Sequence, residues 1–173
     1  MRTVVFDGRM DTYLSTVFPA DRMALGGTTC IDGPASSDAG DLESLAARLS
    51  DVSLPPKELG ALGERYAAAW LTAAGFVVVE RNWRCRYGEL DIVALSPERS
   101  LVFVEVKTRR GLRFGLPQEA VTARKRNSLR AAAVQWLMDG RHRVAHRGVR
   151  FDVVAILSAA GAPPVVRHIR EVC

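Results

Sequence analysis

The chain has only three cysteines in 173 residues, Cys30, Cys85 and Cys173, and no two of them form a CxxC pair. That scarcity excludes a disulfide framework and a cysteine-based zinc knuckle, and fits free thiols in a reducing compartment. Long apolar runs are missing as well. The longest uncharged stretches, such as Tyr66 to Val79, fall short of the ~20 residues a membrane helix needs. Asp7 and Asp11 interrupt any signal-peptide core near Met1, so export is not expected. There is no phosphate-binding glycine loop, no dinucleotide-binding glycine fingerprint and no G-x-S-x-G elbow. Repeats and low-complexity tracts are absent too. With 48% hydrophobic and 25% charged residues, the chain reads as a soluble cytoplasmic protein without a membrane partner.

Lysine is missing altogether from residues 1–56, where four Arg face eight Asp and Glu, a net charge of −4. Residues 57–173 carry twenty Lys and Arg against eleven Asp and Glu, a net charge of +9. A basic body of this kind is the electrostatic footprint that binding to nucleic acid requires, since phosphate contacts dominate that affinity. Residues 1–54 show no sustained period and are broken by Gly26-Gly27, Gly33-Pro34 and Gly40. One piece is helical in pattern: Asp41 as a cap, then Leu42, Leu45, Ala46 and Leu49 on one face. Residues 1–56 are therefore expected to form a mostly disordered acidic extension, with Pro55-Pro56 as the boundary to a domain at 57–173.

Within that domain, residues 58–74 are strong helix formers with Leu59, Leu62, Tyr66, Ala69, Trp70 and Ala73 on one face and Gly75 at the end. Strands are expected at 76–80, 90–95, 101–107, 150–157 and 165–169, and a long helix at 117–139. Runs such as Leu-Val-Phe-Val are apolar on both faces, so helices should cover both sides of the sheet. The architecture is α/β.

Chemistry concentrates in Gly88-Glu89-Leu90-Asp91-Ile92-Val93 and Val104-Glu105-Val106-Lys107. Glu105 and Lys107, two apart on a strand, share a face, as do Glu89 and Asp91. If Leu95 pairs with Leu101 across the turn at 96–100, Asp91 lies opposite Glu105 and Glu89 opposite Lys107. Opposed Cβ atoms are ~4.5–5.5 Å apart, close enough for two carboxylates to share a cation. Such a patch suits metal-assisted hydrolysis of a phosphodiester. Spacing alone equally allows an ion pair of Glu105 with Lys107, with Asp91 solvated at a sheet edge.

Taken together, Asp91 and Glu105-Val106-Lys107, preceded by a helix carrying Glu64, resemble the PD-(D/E)XK nuclease superfamily. More closely, Gly63-Glu64, Glu80-Arg81-Asn82-Trp83-Arg84, Gly88-Glu89-Leu90-Asp91, Phe103-Val104-Glu105-Val106-Lys107, Pro117-Gln118-Glu119-Ala120 and Phe151-Asp152-Val153 are similar, in order and spacing, to the YraN-like uncharacterised bacterial family. The resemblance covers about residues 57–171. Leu90 stands where the superfamily motif has its proline.

The resemblance implies a restriction-endonuclease-like αβββαβ core, a mixed central sheet flanked by helices, similar to archaeal Holliday-junction resolvases. It implies Asp91 and Glu105 as ligands of Mg²⁺ or Mn²⁺, Lys107 as the catalytic lysine and Glu64 as the helix glutamate completing the metal site. Glu64 alternatively pairs with Arg65 or Lys57 at the surface. Gln118 resembles a polar active-site residue of some superfamily members and is otherwise a helix-start residue. Glu89 is expected to be structural, paired with Lys107. Arg109, Arg110 and Arg113 after the strand, and Arg124, Lys125, Arg126 and Arg130 on the next helix, are candidates to grip a phosphate backbone. His142 and His146 have metal-ligand spacing but sit in an arginine-rich linker, so no zinc site is expected. Trp83 and Trp136 are expected in the core.

The implied function is a metal-dependent nuclease acting on DNA, branched or damaged DNA included. The alternatives are a catalytically silent nucleic-acid-binding module with the same fold and an RNA-processing nuclease. A homodimer is compatible with each.

Overall fold

A computed structural model describes residues 4–5, 38–111 and 123–172. In chain order these form β1 (Val4–Val5), α1 (Asp38–Leu49), α2 (Pro56–Ala73), β2 (Val77–Cys85), β3 (Gly88–Leu95), β4 (Ser100–Arg110), α3 (Ala123–Met138), β5 (Gly148–Ala159) and β6 (Ala162–Ile169). The sheet order is β1-β6-β5-β4-β3-β2. β4 and β5 run parallel and every other neighbouring pair is antiparallel, so the sheet is mixed. The succession α2-β2-β3-β4-α3-β5 is the expected αβββαβ core.

α2 begins where its sequence says it should. Pro55 is its extended N-cap and Pro56 fills the first turn, where a missing N–H costs nothing. It ends at Gly75, whose φ of 83° lets the Gly75 and Phe76 amides fold back onto the Thr72 and Leu71 carbonyls. The helix buries Leu59, Leu62, Tyr66 and Leu71 against Ile92, Ala94, Val102, Val104 and Val154 of the sheet. On the opposite face α3 buries Leu129, Ala132, Ala133 and Trp136 against Leu90, Val93, Leu101 and Phe103. Both faces are therefore covered, as expected for strands apolar on both sides.

Two expectations change. The boundary at Pro55-Pro56 does not separate α1 from the body. Leu42, Leu45 and Leu49 are buried in the same cluster as α2, and the Ser158 hydroxyl donates to the Leu49 carbonyl. The strand expected at 76–80 continues through Cys85, because an edge strand needs no apolar alternation on its solvent side. The helix expected from 117 is described only from Ala123, so the start of that element, with Gln118 and Arg113, lies outside the described residues. No helix among the described residues is long and apolar enough to cross a membrane.

Candidate active site

The turn between β3 and β4 sets the register on which the site depends. Ser96 N–H donates to the Ser100 carbonyl at 2.9 Å, and Leu95 pairs with Leu101 as expected, followed by Ala94 with Val102, Val93 with Phe103 and Ile92 with Val104. The ladder runs no further. In place of the next pair, the Asp91 side chain enters the ladder: its Oδ2 accepts from the Val106 amide at 2.7 Å.

The strands change face at this level. Leu90 packs with the α3 cluster and Ile92 with the α1–α2 cluster, although residues two apart on a regular strand share a face. On β2, Glu80 bonds Trp136 and Trp83 packs beside it, an odd number of positions apart. Between them lies Asn82 at φ 54°, flanked by the pairs Arg81–Ile92 and Trp83–Leu90 and so level with Asp91. Asparagine is among the few side chains that occupy this left-handed region readily. The reversal at Asn82 and Asp91 is what turns the Asp91 carboxylate inward at the end of the β3–β4 ladder.

Glu105 is 1% exposed and carries two ammonium groups on one oxygen. Lys107 Nζ lies 2.5 Å from Oε1 and Lys125 Nζ 3.1 Å from the same atom. Oε2 is buried and has no partner. Asp91 is 6% exposed, and burial pushes its carboxyl up to about 7. The charges of Glu105 and Glu64 add to that push, while the Val106 amide and Lys125 oppose it. Glu64 is raised as well, first by burial, then by the charges of Glu89 and Glu105 against those of Arg81 and Arg84. Three carboxylates thus feel one another across a partly desolvated patch, and a buried oxygen waits without a donor. Burial and mutual repulsion together make Asp91 and Glu64 hold their protons more tightly than exposed carboxyls do.

Beside Glu64, α2 lies unusually close to β4. The preceding residue, Gly63, is buried, and a Cβ there would stand 1.8 Å from Thr108 Oγ1 and 2.8 Å from Thr108 Cβ. The second distance means that no rotamer of Thr108 makes room. Gly63→Val should therefore cost stability at the upper end of about 1–3 kcal/mol, beyond any gain in helix propensity. Adding Thr108→Ala, which removes Oγ1 and keeps Cβ, should recover only part of the loss in urea unfolding. A Gly63→Val protein as stable as the parent would show that the close approach is not required.

Of the residues singled out from sequence, Lys107 pairs with Glu105, and Asp91 and Glu64 are coupled to Glu105 through charge. Among the described residues no set of three His, Cys, Asp or Glu side chains is gathered tightly enough to cage an ion. Asp91 and Glu105 are the two buried carboxylates that could hold a metal, with Glu64 coupled to both through charge. Glu89 does not pair with Lys107; its carboxylate meets Arg84 across the β2–β3 ladder at 2.9 Å. Arg110 is not turned toward a phosphate either. It donates to the Asp51 and Leu54 carbonyls at 3.1 and 2.6 Å and ties the α1–α2 linker to β4. Arg109 and Arg124 are exposed, and Arg126 is half-buried.

Lys125, expected on the phosphate-gripping face, instead enters the site. The signal was in the sequence: Lys125 lies four before Leu129, seven before Ala132 and eleven before Trp136, on the buried stripe of α3. His142 stacks on Trp136 at 4.3 Å and reaches Glu80 at 3.2 Å, while His146 bonds the Val144 carbonyl, so the two do not converge. Trp136 is core, as expected, and Trp83 packs against it from the edge.

A family model described as "Uncharacterised protein family UPF0102" matches residues 63–156, which span every element of this site. A UPF0102 protein of Bifidobacterium longum subsp. infantis is 56% identical over 123 residues, 71% of this chain and 98% of its own length. Another from Rhodococcus jostii is 54% identical over 114 residues, 65% of this chain and 93% of its own. A third, from Trichlorobacter lovleyi, is 45% identical over 111 residues, 64% of this chain and 86% of its own.

Proposed function

The chain belongs to the uncharacterised protein family UPF0102, and from the site it carries we propose that it hydrolyses phosphodiester bonds of DNA with a divalent cation. The observation that carries this reading is Glu105. It is a buried carboxylate with two lysines on one oxygen and nothing on the other, set beside a second buried carboxylate at Asp91. The donor chemistry fits Mg²⁺ or Mn²⁺, hard ions that take one or two protein carboxylates and fill the remaining positions with water and phosphate oxygens. Asp91 and Glu105 would hold the ion. Bound there, it would lower the pKa of a water molecule and neutralise charge on the phosphate.

The chain's own groups do the rest. Lys107, held on Glu105 Oε1, orients the attacking water and stabilises negative charge developing on the phosphoryl oxygens. Water adds to phosphorus, one P–O ester bond breaks, and the departing oxygen takes up a proton. Lys125 holds a second positive charge at the same carboxylate, within reach of a phosphate. The net +9 of residues 57–173 supports a polyanionic substrate. The resemblance to junction resolvases makes branched DNA the first substrate to try.

The test is incubation of linear, flapped and four-way DNA, and of RNA, with Mg²⁺, Mn²⁺ or EDTA. Cleavage of DNA is expected with either ion and none in EDTA. Binding without cleavage of any substrate would replace the nuclease by a silent nucleic-acid-binding module, and cleavage of RNA alone would make it an RNA-processing enzyme.

A further inference from the structure

The β2–β3 hairpin forms one edge of the sheet, packed on α3 through Trp83 and Cys85, and carries charge and aromatic surface that the proposed hydrolysis does not use. Its tip is the two-residue turn Arg86-Tyr87, closed by the pair Cys85–Gly88. Tyr87 is 43% exposed and, among the described residues, packs on no core cluster. The Arg86 guanidinium lies 4.7 Å from the ring centroid, and Arg86 Nη2 donates to the Tyr87 hydroxyl at 2.6 Å. Among the described residues Arg86 has no carboxylate partner. Arg84 shares Glu89 but keeps its side chain 77% exposed, and Arg81 is exposed on the same strand. Arg81 pairs with Ile92 and Trp83 with Leu90, so the base of the hairpin brackets Asp91.

An exposed ring held by a guanidinium, with further arginines on its strand, is the combination that single-stranded nucleic acid uses: cations for the backbone and an aromatic face for a base. A duplex offers the cations the same phosphates but keeps its bases stacked inside. We infer that this hairpin is a substrate arm, in which Arg81, Arg84 and Arg86 hold a phosphate backbone and Tyr87 stacks on an unpaired base next to the carboxylate site. The inference rests on reading the site as acting on nucleic acid. It narrows the substrate to strands with unpaired nucleotides, such as a flap, a gap or the centre of a branch.

Binding is measured by fluorescence anisotropy in EDTA, on oligothymidylate, its RNA counterpart and a blunt DNA duplex. Tyr87→Ala is expected to weaken binding to oligothymidylate by about 5- to 100-fold and to leave the duplex within about twofold, since one base stack is worth that much. Tyr87→Phe, which keeps the ring but loses the Arg86 hydrogen bond, should retain most of the binding that Tyr87→Ala loses. Changing Arg81, Arg84 and Arg86 together to Gln should weaken both DNA forms and flatten the salt dependence. Equal losses by Tyr87→Ala on the DNA and RNA strands would support the arm and show that it ignores the sugar. Unchanged oligothymidylate binding by Tyr87→Ala, with the parent binding well, would overturn the arm and leave the nuclease reading standing. A parent protein that binds none of the three would remove both.

Discussion

Asp91→Asn is expected to abolish cation-dependent cleavage and, at the same time, to raise the melting temperature of the metal-free protein at pH 8. The two effects have one cause. Asp91 is buried beside Glu105 and within reach of Glu64, so its ionised form is disfavoured in the folded chain and its carboxyl is pushed up to about 7 from 3.8. A carboxyl raised on folding adds stability below its unfolded pKa and loses it as pH climbs through the folded value. From pH 4 to pH 7 the metal-free parent should therefore lose stability on the order of 4 kcal/mol from this group alone. The asparagine variant lacks that slope, and its side-chain oxygen can still accept from the Val106 amide. Cleavage should fall by about a thousandfold or more, as for the loss of a group that stabilises transition-state charge. Glu105→Gln and Lys107→Ala should lose cleavage to a similar degree. Added Mg²⁺ or Mn²⁺ should stabilise the parent and not Asp91→Asn. Retained cleavage in a folded Asp91→Asn, Glu105→Gln double variant would place the reaction elsewhere.

How much of this site is legible in the sequence depends on whether a residue sits in regular structure. The Leu95–Leu101 register followed from one short polar turn, and it placed Asp91 at the level of Glu105. Strand alternation also distinguishes Arg109 from Arg110. Odd positions of β4 lie with Glu105 and Lys107, while even ones lie with Val104 and Val106 against the α1–α2 layer, where Arg110 caps the linker carbonyls. Lys125 was legible by the same logic on the α3 stripe. The reversal at Asn82 and Asp91 was not, because a break in periodicity leaves no periodic signal and only the φ of 54° reveals it. The docking of α1 was half legible: Leu42, Leu45 and Leu49 mark a stripe, but a stripe does not say what it covers. The Arg84–Glu89 pair displaced the expected Glu89–Lys107 contact because β2, not β4, is the nearer neighbour of that end of β3.

The last expected result concerns a charge that the site never touches. Asp152→Ala should lower stability by about 3–5 kcal/mol, the usual cost of stranding buried partners, and the melting temperature by roughly 10 °C. Asp152 is fully buried on β5. Its carboxylate takes the His168 Nε2 contact at 2.7 Å, the Arg150 Nε at 3.0 Å and the Glu171 amide at 3.1 Å. His168 is itself buried between the edges of Trp70 and Phe76, and Arg150 Nη2 is buried without a partner. Burial alone would raise the Asp152 carboxyl, but the His168 hydrogen bond and charge, Arg150 and the Glu171 amide outweigh it and hold it below the usual range. A carboxyl lowered on folding contributes stability that is present above its unfolded pKa of 3.8 and lost as pH falls through the folded value. The parent should therefore show an acid-limb loss below pH 4 to which this group contributes and which Asp152→Ala lacks. The neighbouring Val153 pairs with Glu105, and Ala155 with Lys107, so β5 is also the strand on which β4, with the proposed site, rests. Below its lowered melting point Asp152→Ala should still cleave, in contrast to Asp91→Asn, which should fold and not cleave. A melting temperature within about 2 °C of the parent would show that His168 and Arg150 find other partners when the carboxylate is removed.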